Sequence, residues 1–406
     1  MQAHPLPLST AAEIEQLAAR LKDCDLISFD TEFIREQTFF PVVELIQVAT
    51  DDESWLVDAN AFKKGYAPGP QGGFNQGLSP LLEIFENQKI LKIVHAAQGD
   101  EECLYTSFGR LASPTLDTAV AASLCGYGDG IGLGRLLKLG LDVTIKKGHS
   151  RTNWSVRPLP EQLIQYAHED VKHLVALGRK LLTRLDELGR REWALELSSK
   201  WSDPRLYEPD VDGIAAKLIR GGHLDRKAQA VLLQLVRWRE ERVRQLNLPR
   251  RWVADDSVLL DLARVRPKDI AHLGAFRGLN KGELRNSGEA LLKAIENAGA
   301  IDERLKTLTS ERQDAPNPDE SQVLDLVRFY VGILADRHRI AAKHLATAAQ
   351  LLPLLRNKIE GPADLVRLGV LSQHAAELIG EELIAFLNGN RAVSVDGRQI
   401  KIVEVS

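Results

Sequence analysis

The segment Ile27-Ser28-Phe29-Asp30-Thr31-Glu32-Phe33 reads as an apolar β-strand carrying two carboxylates in its second half. Strand side chains alternate, so Asp30 and Glu32 share one face while Phe29, Thr31 and Phe33 share the other. Burying a bare carboxylate beside a sheet is costly, and two together also repel. A chain tolerates the arrangement where a cation sits between the acids, and rigid oxygen ligands suit a hard divalent ion such as Mg²⁺ or Mn²⁺. Otherwise the pattern marks a strand end where acids meet water.

The residues around this strand alternate between short strands and helices. The spacing predicts a helix over residues 10–21: Thr10 can cap it, Glu13 follows three positions on, and Ile14, Leu17 and Leu21 form a stripe. Residues 45–50 and 55–58 give two further strands, so the domain opens as an antiparallel meander. A surface loop is expected over 61–79, a helix over 81–87, an inner strand over 92–95, and helices over 100–108, 119–122 and 133–139. Pro160 opens one long helix that runs through Tyr166 and Asp170 to about Leu188. The glycines at 126, 128, 130, 132 and 134 have the wrong spacing for a dinucleotide fingerprint.

Beyond Tyr207-Glu208-Pro209 the character changes to helices alone, with the longest over 228–246, a polar linker over 310–319 and a terminal β-hairpin around Asp396-Gly397. The expected fold class is α/β plus all-α, with domains at 1–208, 209–305 and 306–406.

Composition narrows the function classes. The three cysteines, Cys24, Cys103 and Cys125, show no zinc or redox spacing and read as small buried hydrophobes in a reducing cytosol. No leader pattern and no long apolar run occurs, so a cytoplasmic chain is expected, neither secreted nor membrane-spanning. The net charge of −4 excludes a protein that is basic throughout. Residues 226–251 nevertheless hold eight basic residues against two acidic ones, a local field that can attract a phosphate backbone.

Two more acids extend the pattern. Asp100 comes five residues after His95, where a strand hands over to a helix, and Tyr166 and Asp170 lie four apart on one helical face. In this order the residues resemble the exonuclease motifs of bacterial ribonuclease D, in the DEDD superfamily. Asp30-Thr31-Glu32-Phe33, with Arg35-Glu36, Thr38-Phe39, Pro41 and Leu45-Ile46-Gln47, is similar to the first motif. His95-Ala96 followed by Asp100 looks like the second, and Tyr166-Ala167 through Asp170-Val171 like the tyrosine-bearing form of the third. Asp117-Thr118, Ser150-Arg151-Thr152, Trp154 and Arg157-Pro158-Leu159 match segments that the family places around its active site. Trp238-Arg239-Glu240, Asn247-Leu248-Pro249-Arg250 and Trp252-Val253 resemble the helical HRDC domain that follows the nuclease. Residues 316–390 are similar in size and helical content to a second, divergent copy.

The resemblance implies an RNase H-like mixed-sheet exonuclease domain followed by two helical HRDC-type domains. It implies that Asp30, Glu32, Asp100 and Asp170 hold two divalent cations, Mg²⁺ or Mn²⁺, while Tyr166 aims the attacking water. The reaction would be 3′-5′ exoribonucleolytic release of nucleoside 5′-monophosphates. The implied partner is structured RNA with a single-stranded 3′ tail, such as a tRNA precursor, bound by a monomer. Substrate contacts are assigned to Phe39, Gln47, His95, Lys146, Lys147, Arg151 and Arg239. Phe39 and Phe40 either stack on a terminal base or pack beside the first strand, and the two lysines either meet phosphates or stay solvated. DNA as substrate, or an inert nucleic-acid-binding scaffold, are the alternatives.

Overall fold

The computed structural model describes residues 5–63, 74–145, 152–276, 279, 281–299 and 316–405. Helix α1 (Ala11–Leu21) begins with a reciprocal cap, in which Thr10 Oγ1 accepts the Glu13 N–H and the Glu13 carboxylate accepts the Thr10 N–H. Its stripe of Ile14, Leu17 and Leu21 is fully buried. Strands β1 (Leu26–Ile34), β2 (Val42–Ala49) and β3 (Ser54–Asp58) form the expected antiparallel meander. Two short 3-10 turns, Ala59–Phe62 and Gln76–Leu78, flank undescribed residues 64–73 of the 61–79 segment. Then follow α2 (Ser79–Glu86), β4 (Leu91–Val94), α3 (Gln98–Phe108), β5 (Thr115–Asp117), α4 (Thr118–Leu124), α5 (Leu133–Leu141), α6 (Glu161–Lys172), α7 (Leu174–Glu187) and α8 (Arg191–Ser199).

The sheet order is β3-β2-β1-β4-β5, with β4 parallel to β1. Alternation along β1 and β2 sends Ile27, Phe29, Ile46 and Val48 into a core with α1 and α2, where Phe29 and Phe85 stack at 4.7 Å. The opposite face packs Leu45 and Leu56 against Trp154, Leu163, Ile164 and Ala167, which brings α6 over the sheet. Register slips between Glu32 and Phe33: Glu32 faces Leu45 but Phe33 faces Val43, leaving Glu44 as an extra residue on β2. Because of this bulge Val43 packs with the α1-side core, although Leu45, two residues on, packs under α6.

The long helix expected over 160–188 is in fact two, because His173 (φ −104°, ψ −4°) leaves the helical path between α6 and α7. Sequence periodicity runs through the break, since both helices keep apolar residues in phase.

After Pro209 the chain is helical, with α9 (Val211–Gly222), α10 (Arg226–Leu246), α11 (Arg250–Val253), α12 (Asp256–Val265), α13 (Ile270–Gly274) and α14 (Lys281–Glu296). Asp225 caps α10 by accepting the Ala228 N–H at 2.7 Å, and Leu232, Leu233, Leu235 and Val236 are fully buried in this bundle. Later helices include Pro318–His338 and Gln373–Leu387, joined through stacked Tyr330 and Phe386 with centroids 3.9 Å apart. The C-terminal hairpin, Arg391–Asp396 with Gln399–Glu404, turns on Gly397-Arg398, one residue later than expected, and Gly397 takes the left-handed backbone the turn requires. The undescribed residues 300–315 contain most of the expected linker.

By compactness the chain divides into two units. One comprises residues 1–115, 147–175 and 199–314; the other comprises 116–146, 176–198 and 315–406. In the second, Arg190 donates to the Leu124 carbonyl at 2.7 Å and to the His338 carbonyl at 3.1 Å, and Trp193 stacks on His374. On Pro318–His338 the side chains of Val323, Leu326 and Phe329 are exposed and form an apolar stripe. Among the described residues no helix is long and apolar enough to cross a membrane.

Candidate active site

The site forms where β4 ends. Pairing of β1 with β4 reaches only Ser28↔Ile93, so beyond Ser28 the β4 side of β1 has no ladder partner from that strand. Ligand sites in sheets with parallel strands favour such crevices at carboxyl ends. Ala96, in the left-handed conformation (φ 58°), turns the chain from β4 toward α3. That backbone is unfavourable for a residue with a Cβ, and such strain gathers at functional sites. The first turn of α3 then brings Asp100 to β1, where its Oδ1 accepts the Thr31 N–H at 2.9 Å and the Thr31 hydroxyl at 2.6 Å.

From the other face, α6 is tied to β1 by the Ser28 hydroxyl, which donates to the Val171 carbonyl at 3.1 Å. One residue earlier, Asp170 projects toward the β1 acids. Asp30, Glu32 and Asp170 each offer a carboxylate oxygen, and these atoms lie within 4.8 Å of one another. Asp100 is outside that set, yet its charge still acts on Asp30 and Glu32.

The electrostatics follow from crowding. Burial, then the charges of Asp100, Glu32 and Asp170, hold the Asp30 carboxyl well above its ordinary range. Burial, then Asp170 and Asp100, push Glu32 up to about 9. Burial raises Asp170 to about 6, against the lowering effect of the hydrogen bond from Tyr166. Burial and the neighbouring acids raise the Tyr166 phenol, so it stays protonated and acts as a donor. Like charges gathered in a half-buried pocket are stabilised by protons or cations among them. An all-oxygen donor set of this kind fits hard divalent ions.

Arg157 braces the surroundings. It grips Asp58 with two hydrogen bonds of 2.8 and 2.7 Å and donates to the carbonyls of Glu44 and Trp154. Trp154 is buried against the α6 core, with its ring centroid 6.1 Å from that of Tyr166.

The remaining expected contacts divide. Gln47 lies directly across from Asp30 but is fully buried, which makes it part of the floor under the acids and not a surface contact. His95 is half-buried at the end of β4. Phe39 is half-buried in the turn after β1, its ring edge-on to Phe40 at 4.8 Å and beneath the Arg250 guanidinium at 5.1 Å. Lys146, Lys147 and Arg151 lie outside the described residues. Arg239 requires a correction. It is only 1% exposed and donates to Asp256 at 2.6 Å, so its charge is spent inside the bundle and cannot meet RNA. Arg237, Arg242 and Arg250 likewise pair with Asp212, Glu283 and Glu240, which weakens the local field expected over 226–251. Sequence places Thr31 within the first motif and Arg157 in a segment near the site, but the contacts they make come only from the structure.

A family profile described as 3′-5′ exonuclease matches residues 6–186, and one described as HRDC domain matches residues 228–295. Ribonuclease D of Gluconacetobacter diazotrophicus is 30% identical over 398 residues, covering 98% of this chain and 96% of that protein. Ribonuclease D of Bartonella henselae is 33% identical over 347 residues, covering 85% and 82%. The crystal structure of Escherichia coli RNase D, described as an exoribonuclease involved in structured RNA processing, superposes with a TM-score of 0.74 at 26% identity, covering 95% of this chain and 99% of that one.

Proposed function

Because this chain belongs to the ribonuclease D family and is a 3′-5′ exoribonuclease, we propose that it trims the 3′ ends of structured RNAs such as tRNA precursors, using Asp30, Glu32, Asp100, Asp170 and Tyr166. The observation that carries this reading is the convergence of Asp30, Glu32 and Asp170 oxygens within 4.8 Å in a half-buried pocket. Asp30, Glu32 and Asp170 would hold divalent cations, Mg²⁺ or Mn²⁺, with Asp100 completing a two-ion site. Such ions supply Lewis-acid polarisation and lower the pKa of bound water. The chain's own groups do the positioning. The protonated Tyr166 phenol, hydrogen-bonded to Asp170, orients the water that attacks the terminal phosphodiester. Thr31 fixes the Asp100 carboxylate relative to β1. Phe39 stacks on the terminal base, which tolerates any sequence because every base has a π-face.

The nuclease domain is assigned to residues 1–208 and the first HRDC domain to 209–305. A second, divergent HRDC-like domain with its hairpin is assigned to 306–406. What supports the last is a run of helices from Pro318–His338 to Gln373–Leu387.

The test is a digestion ladder of end-labelled single-stranded RNA, matched DNA and a tRNA precursor in Mg²⁺, in Mn²⁺ and with EDTA. Stepwise shortening of RNA from the 3′ end, abolished by EDTA, is expected. Equal or faster digestion of DNA, or metal-independent cleavage, would overturn the reading.

A further inference from the structure

The turn between β1 and β2 is held by the helical bundle. The Phe40 N–H donates to Asn247 Oδ1 at 2.8 Å, a bond spanning 207 residues of sequence. Asn247 is the residue that ends α10. It sits in the left-handed conformation (φ 48°, ψ 48°), is 3% exposed, and its backbone N–H closes the helix on Arg244 and Val243. Helix termination needs only that backbone, which glycine supplies as readily, so the side-chain amide can serve another element. Three residues on, Arg250 lies over the Phe39 ring, held by two short bonds of 2.7 and 2.8 Å to buried Glu240. The turn itself is braced by the Thr38 hydroxyl, which donates to the Phe40 carbonyl at 2.7 Å. Beside these contacts lies an open cleft of about 490 Å³ lined by Arg35, Phe39, Tyr207, Arg250 and Arg251 among others, a volume within the range of small-ligand sites.

We propose that Asn247 is a positioning residue for the nuclease reaction: its side chain fixes the Phe39–Phe40 turn, so the helical domain sets how tightly the catalytic domain holds an RNA 3′ end. This rests on the reading of Phe39 as the stacking platform for the terminal base. A bundle that served only to tether distant RNA would not influence a substrate of a few nucleotides. A bundle that shapes the turn must do so.

The experiment uses the full chain and a tetranucleotide RNA. Asn247→Gly preserves the left-handed backbone and removes the acceptor; Asn247→Asp keeps an acceptor at the same place. For Asn247→Gly, KM should rise roughly three- to tenfold with kcat within about twofold, on the scale of one neutral hydrogen bond. Asn247→Asp should stay near wild type, and Asn247→Gly should add nothing in a Phe39→Ala background. Wild-type kinetics for Asn247→Gly while Phe39→Ala raises KM would overturn this inference alone. So would a fall in kcat at constant KM, an equal loss in Asn247→Asp, or a loss that persists undiminished without Phe39. An unaffected Phe39→Ala would remove the stacking reading and the inference with it.

Discussion

Asp100 is fastened to Thr31 twice, by the backbone N–H at 2.9 Å and by the hydroxyl at 2.6 Å. Thr31 sits between Asp30 and Glu32 on β1, so one residue registers the acid from α3 against the acids of the strand. Thr31→Val keeps the first bond and removes the second. We expect kcat/KM to fall roughly 10- to 100-fold, as for other groups that orient a metal-binding side chain. Steady-state turnover alongside a thermal melt checks this, and unchanged turnover would show that Asp100 needs no such anchor.

Asp30→Asn and Asp170→Asn should each abolish hydrolysis. Neither should unfold the metal-free protein, because each removes a charge from a cluster whose members raise one another's pKa. Metal-free melting temperatures equal to or above wild type are therefore expected. Retained wild-type rates in either purified variant would refute the assignment.

Metal binding should release protons. Glu32 is held at about 9 and Asp30 is raised as well, so the metal-free cluster keeps protons at neutral pH that a cation must displace, while Asp170 at about 6 adds one below that. Affinity for Mg²⁺ should rise with pH across that window, and calorimetry in two buffers of different ionisation heat should report the released protons. Both folded values lie above the ordinary 4.5 and 3.8. The stabilisation they give is therefore complete below those values and is lost as pH climbs through about 6 and about 9. Without metal the protein should melt at lower temperature at pH 9 than at pH 5.5, a slope that excess Mg²⁺ should flatten.

Tyr166→Phe should slow turnover by roughly 10- to 100-fold, on the scale of a lost positioning contact, and leave KM largely unchanged. Single-turnover rates would read this directly. A loss as complete as that of Asp170→Asn would mean that the phenol does more than orient.

Arg239→Ala should lower stability by about 3 kcal/mol, because it breaks a pair whose guanidinium is buried. At the same time it should leave the salt dependence of RNA binding unchanged, since a side chain 1% exposed contacts no phosphate. Urea unfolding and a salt titration test the two halves separately.

Sequence patterning was most informative where local chemistry decides the structure. The Thr10–Glu13 cap, the alternation through Phe29 and Asp30, and the apolar stripe of α10 all concern neighbours a few residues apart, and each element lies where its pattern puts it. The break at His173 and the three-residue β5 leave no periodic trace, because too few residues are involved. Ala96 in a left-handed turn could not be foreseen, since alanine rarely goes there. Arg239 shows another limit: a cation on an amphipathic helix has the same letter whether it faces solvent or a buried carboxylate such as Glu240. Among the acids, spacing placed Tyr166 and Asp170 on one helical face, but only the packing of α6 over β1 brings Asp170 to Asp30.

The single unmatched residue on β2 works like a gear change. Upstream of Glu44, the odd-numbered Val43 meshes with the hydrophobic interior, while downstream the odd-numbered Leu45 and Gln47 back the acidic pocket. Excising Glu44 would make Val43 the immediate neighbour of Leu45, and plain alternation would then hold both on the faces they already occupy. What the extra residue adds is its own chemistry: a carboxylate that accepts from Lys63 and Asn60, and a carbonyl that accepts from Arg157.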